Sequence, residues 1–498
     1  MTAKTLMVAG TASSVGKSLL VAALCRIFAQ DGWHVAPFKA QNMSLNSYAT
    51  ADGKEMGRAQ VVQAQAAGLQ PSVDMNPILL KPEDDARCQV VVMGKPWATL
   101  RAGQYYEHRR ELWGFVTAAL ERLRAQYDLV VIEGAGAAVE PNLRVGDIVN
   151  LPVALYAQSP VLLVGDIDRG GVFAHLLGTL DLLAPDERAL VRGFILNKFR
   201  GDTNLLTPAL TFIAQRSGIP VLGVVPYLRD LHIAEEDSVA LDTRRSADAL
   251  PAIDIAVVRL PHISNFDDFD ALALEAGVRV RFIARVEDLA QPDAIILPGT
   301  KSTIADLEFL SRSGLAAAIH ARAHQGAAIV GLCGGYQMLG TAIRDPRHVE
   351  SERDEIPGLG LLPVETIFES EKATEQVQAR ICADCAFLQA IHGQTIQGYE
   401  IHMGHTTSAA PFLQITQRGP DGVSDADGAV DESGRIFGTY LHGIFDNANF
   451  RRAWLNSLRP HPTSSQALAD VRAREYDRLG DAVRAAVNMD MLRSLIDG

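Results

Sequence analysis

The segment that most restricts the fold lies at the start of the chain. A strand, Thr5–Ala9, runs straight into GTASSVGKS and then into a helical pattern. Leu19, Leu20, Ala23, Leu24, Ile27 and Phe28 recur at helix spacing and give that helix one apolar face. Further strands are expected at Val35–Phe38, Leu129–Ile132, Val161–Val164, Phe194–Leu196 and Val221–Val225, with helical patterns between several of them. Such alternation implies a mostly parallel sheet with helices on both faces. It stops at AEEDSVALDTRRSADALP, residues 234–251, which is polar and charged and reads as a linker. A second α/β series follows, with strands at Ile253–Leu260, Ala294–Leu297, Ala327–Leu332 and around Gly434–Leu441. From Phe450 onward the pattern is helical, with Leu468, Val471, Tyr476, Leu479 and Val483 as its apolar positions. The expected organisation is therefore an α/β domain over 1–233, a linker over 234–251, a second α/β domain over 252–450 and a helical tail over 451–498.

The first loop has the chemistry of a phosphate cradle. In the pattern G-x-x-x-x-G-K-[ST], Gly16, Lys17 and Ser18 fit, while Thr11 stands in the first glycine slot and Gly10 comes one residue early. Small residues let successive backbone N–H groups face phosphate oxygens, and the helix start adds its positive dipole end. Lys17 is expected at the β- and γ-phosphates of ATP and Ser18 on Mg²⁺. Glu133, at the tip of the strand LVVIE, is expected to hold the same Mg²⁺ directly or through water. Asp166 and Asp168 also follow a strand and suit ion pairs as well as catalysis. Asn197-Lys198, after the strand FIL, resembles the base-recognising pair of nucleotide folds, which makes Asn197 a nucleotide-binding candidate.

The later half carries AAIVGLCGGYQMLG. A strand ends at Leu332, Cys333 follows among Gly331, Gly334 and Gly335, and a helix pattern begins. Glycines here permit a strained turn and close approach of neighbouring elements. A helix start behind a cysteine favours thiolate, and the Gly334 N–H can face a developing oxyanion. His442, in FGTYLHGIF, is the expected base, and LPGTKS offers a second oxyanion donor around Gly299 and Thr300. The remaining four of the five cysteines lack such a setting, and Cys382 and Cys385 lack the second pair that a zinc site needs. Scattered cysteines and the absence of an 18-residue apolar run fit a reducing, cytoplasmic location with no membrane span. A net charge of −13 disfavours nucleic acid and anionic lipid as partners.

GLCGGYQ matches the G-x-C-x-G-x-Q signature of class I glutamine amidotransferases, which release ammonia from glutamine through a thioester. The resemblance implies Cys333 as nucleophile, His442 as general base, Gly299 and Gly334 as oxyanion contacts and Gln337 in the glutamine pocket. The chain departs from the usual triad where an acid follows the histidine by two residues. That position is Ile444, so a Cys–His dyad is expected, with Glu400 a candidate to orient His442. The first loop resembles the dethiobiotin synthetase-like branch of P-loop proteins. Its partitioning ATPases carry a signature lysine where Ala12 stands here, which disfavours a partner-activated switch. The two together resemble the cobyrinate amidases, and PFKAQNMSLNS, GDIDRGGVFAH, LNKFRGD, LPHISNFDDFDAL and GYEIHMGHT strengthen that resemblance between Lys4 and Phe445. It implies an ATP-dependent ligase of cobalamin biosynthesis that takes glutamine as nitrogen donor and a corrinoid as substrate. Within the group, these strings point to amidation of the b, d, e and g carboxylates of adenosylcobyrinic acid a,c-diamide, through an acyl phosphate. Gln41, Asn42, Ser44 and Asn46 would then hydrogen-bond the corrinoid amides and carboxylates. Two alternatives stay open at this point: an enzyme that makes the a,c-diamide itself, and a nucleotide switch with an inactive glutaminase. Nothing in the residue pattern specifies the oligomeric state.

Overall fold

The computed structural model describes residues 2–83, 87–234, 252–461 and 467–497. The chain divides into two compact units, and both are discontinuous. The first comprises Met1–Ser44, Met56–Ala234 and Val471–Gly498; the second comprises Leu45–Glu55 and Glu235–Asp470. Apart from Ala234, the expected linker at 234–251 lies outside the described residues.

The first unit is built on six parallel strands in the order Val221–Pro226, Val191–Phe199, Val161–Asp166, Lys4–Gly10, Leu129–Glu133, Val35–Phe38. The central strands are buried along nearly their whole length, which is why they read as unbroken apolar runs. The helix Lys17–Gln30 buries Leu20, Val21, Leu24, Ile27 and Phe28. It stops at Asp31-Gly32, where Gly32 takes φ +89° and the Trp33 N–H closes on Phe28 O at 2.9 Å. Tyr476, Leu479 and Val483 of Leu468–Ala486 and Leu492 of Met489–Asp497 join the same apolar core. The tail expected as a separate piece at 451–498 is thus divided: Val471–Gly498 completes the first unit, because its apolar stripe has to be covered. A small sheet of Gln41–Met43, Ile78–Pro82, Arg87–Val92 and Lys95–Arg101 was not foreseen. Its last hairpin turns on Met93 and Gly94, both at positive φ, as a two-residue hairpin turn requires.

The second unit repeats the parallel scheme. Its main sheet runs Val278–Ile283, Ile253–Val258, Ala294–Leu297, Ala328–Leu332, Ile436–Thr439, Ala429–Val430, parallel except for the last pair. Beside it stands a mostly antiparallel sheet whose longest strands are Glu365–Ile381 and Thr395–Thr407. In both units the residues singled out by their motifs lie at or just beyond the C-terminal ends of parallel strands, where ligands of open α/β sheets bind. Among the described residues no helix is long and apolar enough to cross a membrane.

Candidate functional site

In the first unit, the strand Lys4–Gly10 ends in the loop and Gly16 enters the helix at φ +97°. A side chain at Gly16 would strike Asn197 Nδ2, 2.1 Å away. Asn197 Nδ2 donates to Val15 O at 2.8 Å and so ties its own strand to the loop. Lys17 Nζ donates to Ala12 O at 3.0 Å and Gly136 O at 2.7 Å, lying back along the loop. The Thr11 hydroxyl is buried without a hydrogen-bond partner.

Glu133 is fully buried. Ser18 Oγ donates to its Oε1 at 2.8 Å, Lys39 Nζ pairs with it at 3.0 Å, and Gln63 Nε2 donates to Oε2. Burial by itself would raise this carboxyl, but the Lys39 ammonium and the Gln63 and Ser18 hydrogen bonds hold it below the usual carboxylate range. Gln63 carried no sequence signal, and Lys39, though inside the string PFKAQNMSLNS, was not singled out. Asp166 pairs with Lys198 at 3.0 Å and Asp168 with Arg200 at 3.0 Å, so both serve ion pairs in this structure.

In the second unit Cys333 occupies the elbow at φ +51°, ψ −112°, and is buried. The turn closes because glycines surround it. A methyl at Gly335 would lie 2.0 Å from Leu297 O, and one at Gly331 would lie 2.6 Å from Gly335 O. At Gly334 it would stand 2.7 Å from Thr300 Cγ2 and 3.3 Å from Thr300 N, so the two expected oxyanion loops approach closely. At Gly299 it would meet His442 Cε1 at 3.1 Å, which brings that loop to the imidazole.

His442 is buried and its Nδ1 shares a hydrogen bond with Asp268 Oδ2 at 2.7 Å, while the Gly443 N–H donates to Asp268 Oδ1 at 2.8 Å. Tyr399 stacks on the imidazole with centroids 5.2 Å apart. Burial opposes charge on this ring, but Asp268 overrides it, with a further contribution from Cys333, and the imidazole is pushed up to about 10. A carboxylate therefore orients the histidine, and it is Asp268. Its string, LPHISNFDDFDAL, was legible, but nothing in it singles out one of three nearby aspartates. Glu400 does not take that part: its Oε2 accepts from Arg418 Nε at 2.9 Å. The pleat explains this. Tyr399 is bridged to His442, so the next side chain points to the opposite face. Ile444 lies in the apolar core.

Two other expected placements need restating. Gln337 is buried, with Nε2 donating to Met403 O at 2.9 Å and Tyr440 Oη at 3.1 Å while Oε1 accepts from Thr303 Oγ1. Its amide binds the walls of the elbow together. Of the four residues Gln41, Asn42, Ser44 and Asn46, the first three belong to the first unit and Asn46 to the second. Gln41 accepts from Tyr105 Oη and keeps partial exposure, whereas Asn42 is buried and donates to Gln60 Oε1 at 3.1 Å. Asn46, in the second unit, is buried and accepts from the Phe266 N–H at 3.2 Å.

Two family descriptions match the chain. Residues 6–240 match the CobQ/CobB/MinD/ParA nucleotide binding domain, and residues 254–450 match the CobB/CobQ-like glutamine amidotransferase domain. Similar proteins include a cobyric acid synthase of Dehalococcoides mccartyi, 53% identical over 500 residues that span 99% of both chains. That of Sorangium cellulosum is 53% identical over 517 residues, covering 100% of this chain and 99% of the relative. That of Roseiflexus castenholzii is 51% identical over the full length of both.

Proposed function

The chain belongs to the cobyric acid synthase family, and from that premise we propose that it is a glutamine-hydrolysing ligase that amidates corrinoid carboxylates with ATP in cobalamin biosynthesis. The observation that carries the reading is the grouping of Cys333, His442 and Asp268 in a chain that also holds a G-K-S loop.

Ammonia is made in the second unit. The Cys333 sulfur attacks the glutamine carboxamide, and the oxyanion is met by backbone N–H groups of Gly334 and the Gly299–Thr300 loop. His442, which takes the Cys333 proton and is held charged by Asp268, gives that proton to the departing nitrogen; ammonia leaves and the acyl group stays on sulfur as a thioester. The now neutral ring takes a proton from water, hydroxide attacks the thioester, and glutamate and the free thiol return.

The acid is activated in the first unit. A corrinoid carboxylate oxygen attacks the γ-phosphorus of ATP, ADP leaves, and ammonia then displaces phosphate from the acyl phosphate. Lys17 swings from the carbonyls of Ala12 and Gly136 to the phosphates, and the Thr11 hydroxyl supplies a further donor. Ser18 Oγ beside an ionised Glu133 is a donor set suited to Mg²⁺, which keeps several waters and takes most of its other ligands from phosphate. That ion would neutralise charge on the transferring phosphoryl group. Asn197 holds the loop through Val15 O and remains the candidate contact to the nucleotide base. Gln41, with Asn42 and Ser44 behind it, is the candidate corrinoid contact, and uncharged polar groups suit a substrate that changes from carboxylate to amide. The b, d, e and g carboxylates of adenosylcobyrinic acid a,c-diamide are the proposed targets.

Separating the nitrogen sources tests the scheme. Cys333→Ala is expected to lose amidation with glutamine and keep it with concentrated ammonia. Lys17→Ala is expected to lose amidation with either source while still hydrolysing glutamine. Mass spectrometry of the product from cobyrinic acid a,c-diamide should show four amidations; none would point to the synthase that makes that diamide. Glutamine-supported turnover in Cys333→Ala would overturn the thioester.

A further inference from the structure

The second unit contains one piece of chain from far upstream. Leu45–Glu55 leaves the first unit after Ser44 and returns to it at Met56. The segment is a hairpin arm: Ser47–Ala49 pairs with Glu55–Gly57, and the Thr50 N–H closes the turn on Lys54 O at 2.7 Å. It is firmly seated. Glu55 and Lys372 form a buried ion pair, and Gln376 Nε2 donates to Ala49 O. Ala49 and Tyr48 pack with Tyr399 and Ile401 in a small apolar cluster.

Two further bonds of the arm reach the turn that carries Asp268. Asn46 Oδ1 accepts from the Phe266 N–H at 3.2 Å. Asn265 Nδ2 donates to Ser47 O at 2.8 Å and to Tyr399 Oη at 2.8 Å. Asn265 sits at φ +52°, a left-handed conformation that a non-glycine residue keeps only when its surroundings hold it there. The Asn265 carbonyl in turn accepts from the Asp268 N–H at 3.1 Å, and Asp268 meets His442. The same asparagine therefore reaches both groups that fix the imidazole: Asp268 through the backbone, and Tyr399, stacked on the ring, through its hydroxyl.

We propose that the Leu45–Glu55 arm is a positioning element of the glutaminase site, with Asn46 and Ser47 acting through Asn265 and Phe266 to aim Asp268 and Tyr399 at His442. The inference rests on the reading of Cys333, His442 and Asp268 as that site. Since the arm is continuous in sequence with Gln41–Ser44, the glutaminase is completed by chain that also carries the candidate corrinoid contacts.

Asn265→Gly keeps the left-handed backbone and removes both side-chain bonds; Asn46→Ala removes the bond to Phe266. In the full chain each should lower kcat for glutamine hydrolysis about 10- to 100-fold with little change in KM for glutamine, because a misaimed group loses transition-state stabilisation and leaves ground-state binding in place. The double variant should be no slower than the slower single variant, since both act on one turn. Asn265→Gly should match the parent in ammonia-supported amidation. A kcat within about twofold of the parent in Asn265→Gly, or a rise in KM with kcat intact, would overturn the proposal. So would a parallel loss of ammonia-supported amidation in Asn46→Ala, which would return Asn46 to the corrinoid. Cys333→Ala is run alongside: if it still hydrolyses glutamine, the glutaminase reading itself fails, whatever the arm variants do.

Discussion

Asp268 decides the charge of His442. A buried imidazole alone would be neutral at pH 7; beside this carboxylate it is pushed up to about 10. The folded ring is thus more basic than a free histidine, at about 6.5. Its charged pair with Asp268 stabilises the second unit fully below pH ~6.5, and that contribution is lost as pH rises through about 10. Glutaminase activity should likewise fall on the alkaline side as the ring loses its proton. In Asp268→Asn burial is opposed by Cys333 without the carboxylate, so the alkaline limb of kcat should move to lower pH and kcat should fall; an unshifted limb would remove Asp268 from the site. Glu133 presents the opposite sign. Its depressed carboxyl contributes stability above the unfolded value, lost as pH falls through the folded one. Lys39→Met strips the buried partner from Glu133 and should destabilise the first unit by about 3–5 kcal/mol, measured by denaturant unfolding. These partners were hidden from sequence reasoning by distance along the chain. Asp268 lies 174 positions before His442, and Lys39 lies 94 before Glu133. Cys333, Lys17 and Ser18 could be read directly because their chemistry depends on neighbours within a few residues.

At the scale of elements, the cysteine elbow depends on strand and helix approaching more closely than any side chain allows. Gly335→Ala would press a methyl against the Leu297 carbonyl, and backbone on both sides leaves no flexible atom to yield. Thermal unfolding should show marked destabilisation, on the scale of the larger point-mutation effects of about 4 kcal/mol, and glutamine hydrolysis should be lost. A fully active, equally stable Gly335→Ala would mean that the elbow is looser than drawn. Most strands of the two main parallel sheets were legible within a residue or three at each end, because burial on both faces forces apolar runs; the edge strand Val278–Ile283, VRVRFI, is half-buried over most of its length and was not foreseen. The antiparallel strands were not. Glu365–Ile381, ETIFESEKATEQVQARI, is largely exposed or half-buried over its middle and carries charges throughout. Its pairing with Thr395–Thr407 comes from long-range register, which local propensity does not encode.

For the whole molecule, the division of labour runs through discontinuous units. A chain ending at Asp470 would lack Tyr476, Leu479, Val483 and Leu492, each worth about 1.5–3 kcal/mol on burial, and would expose the face of Lys17–Gln30 they help cover. The first unit should then become protease-sensitive and lose ATP-dependent amidation, while glutamine hydrolysis by the second unit survives. Loss of both activities in step would show that the units do not fold separately. The order of residues along the chain was enough to declare two α/β halves, a triphosphate loop and a nucleophilic thiol, since each is specified by periodicity and spacing within one strand–turn–helix. Folding was needed to select Asp268 over Glu400, to deliver the 45–55 arm to the later half and to return the tail to the first. Those choices are made by packing and hydrogen bonding between segments far apart in sequence, and no short window of residues contains both partners.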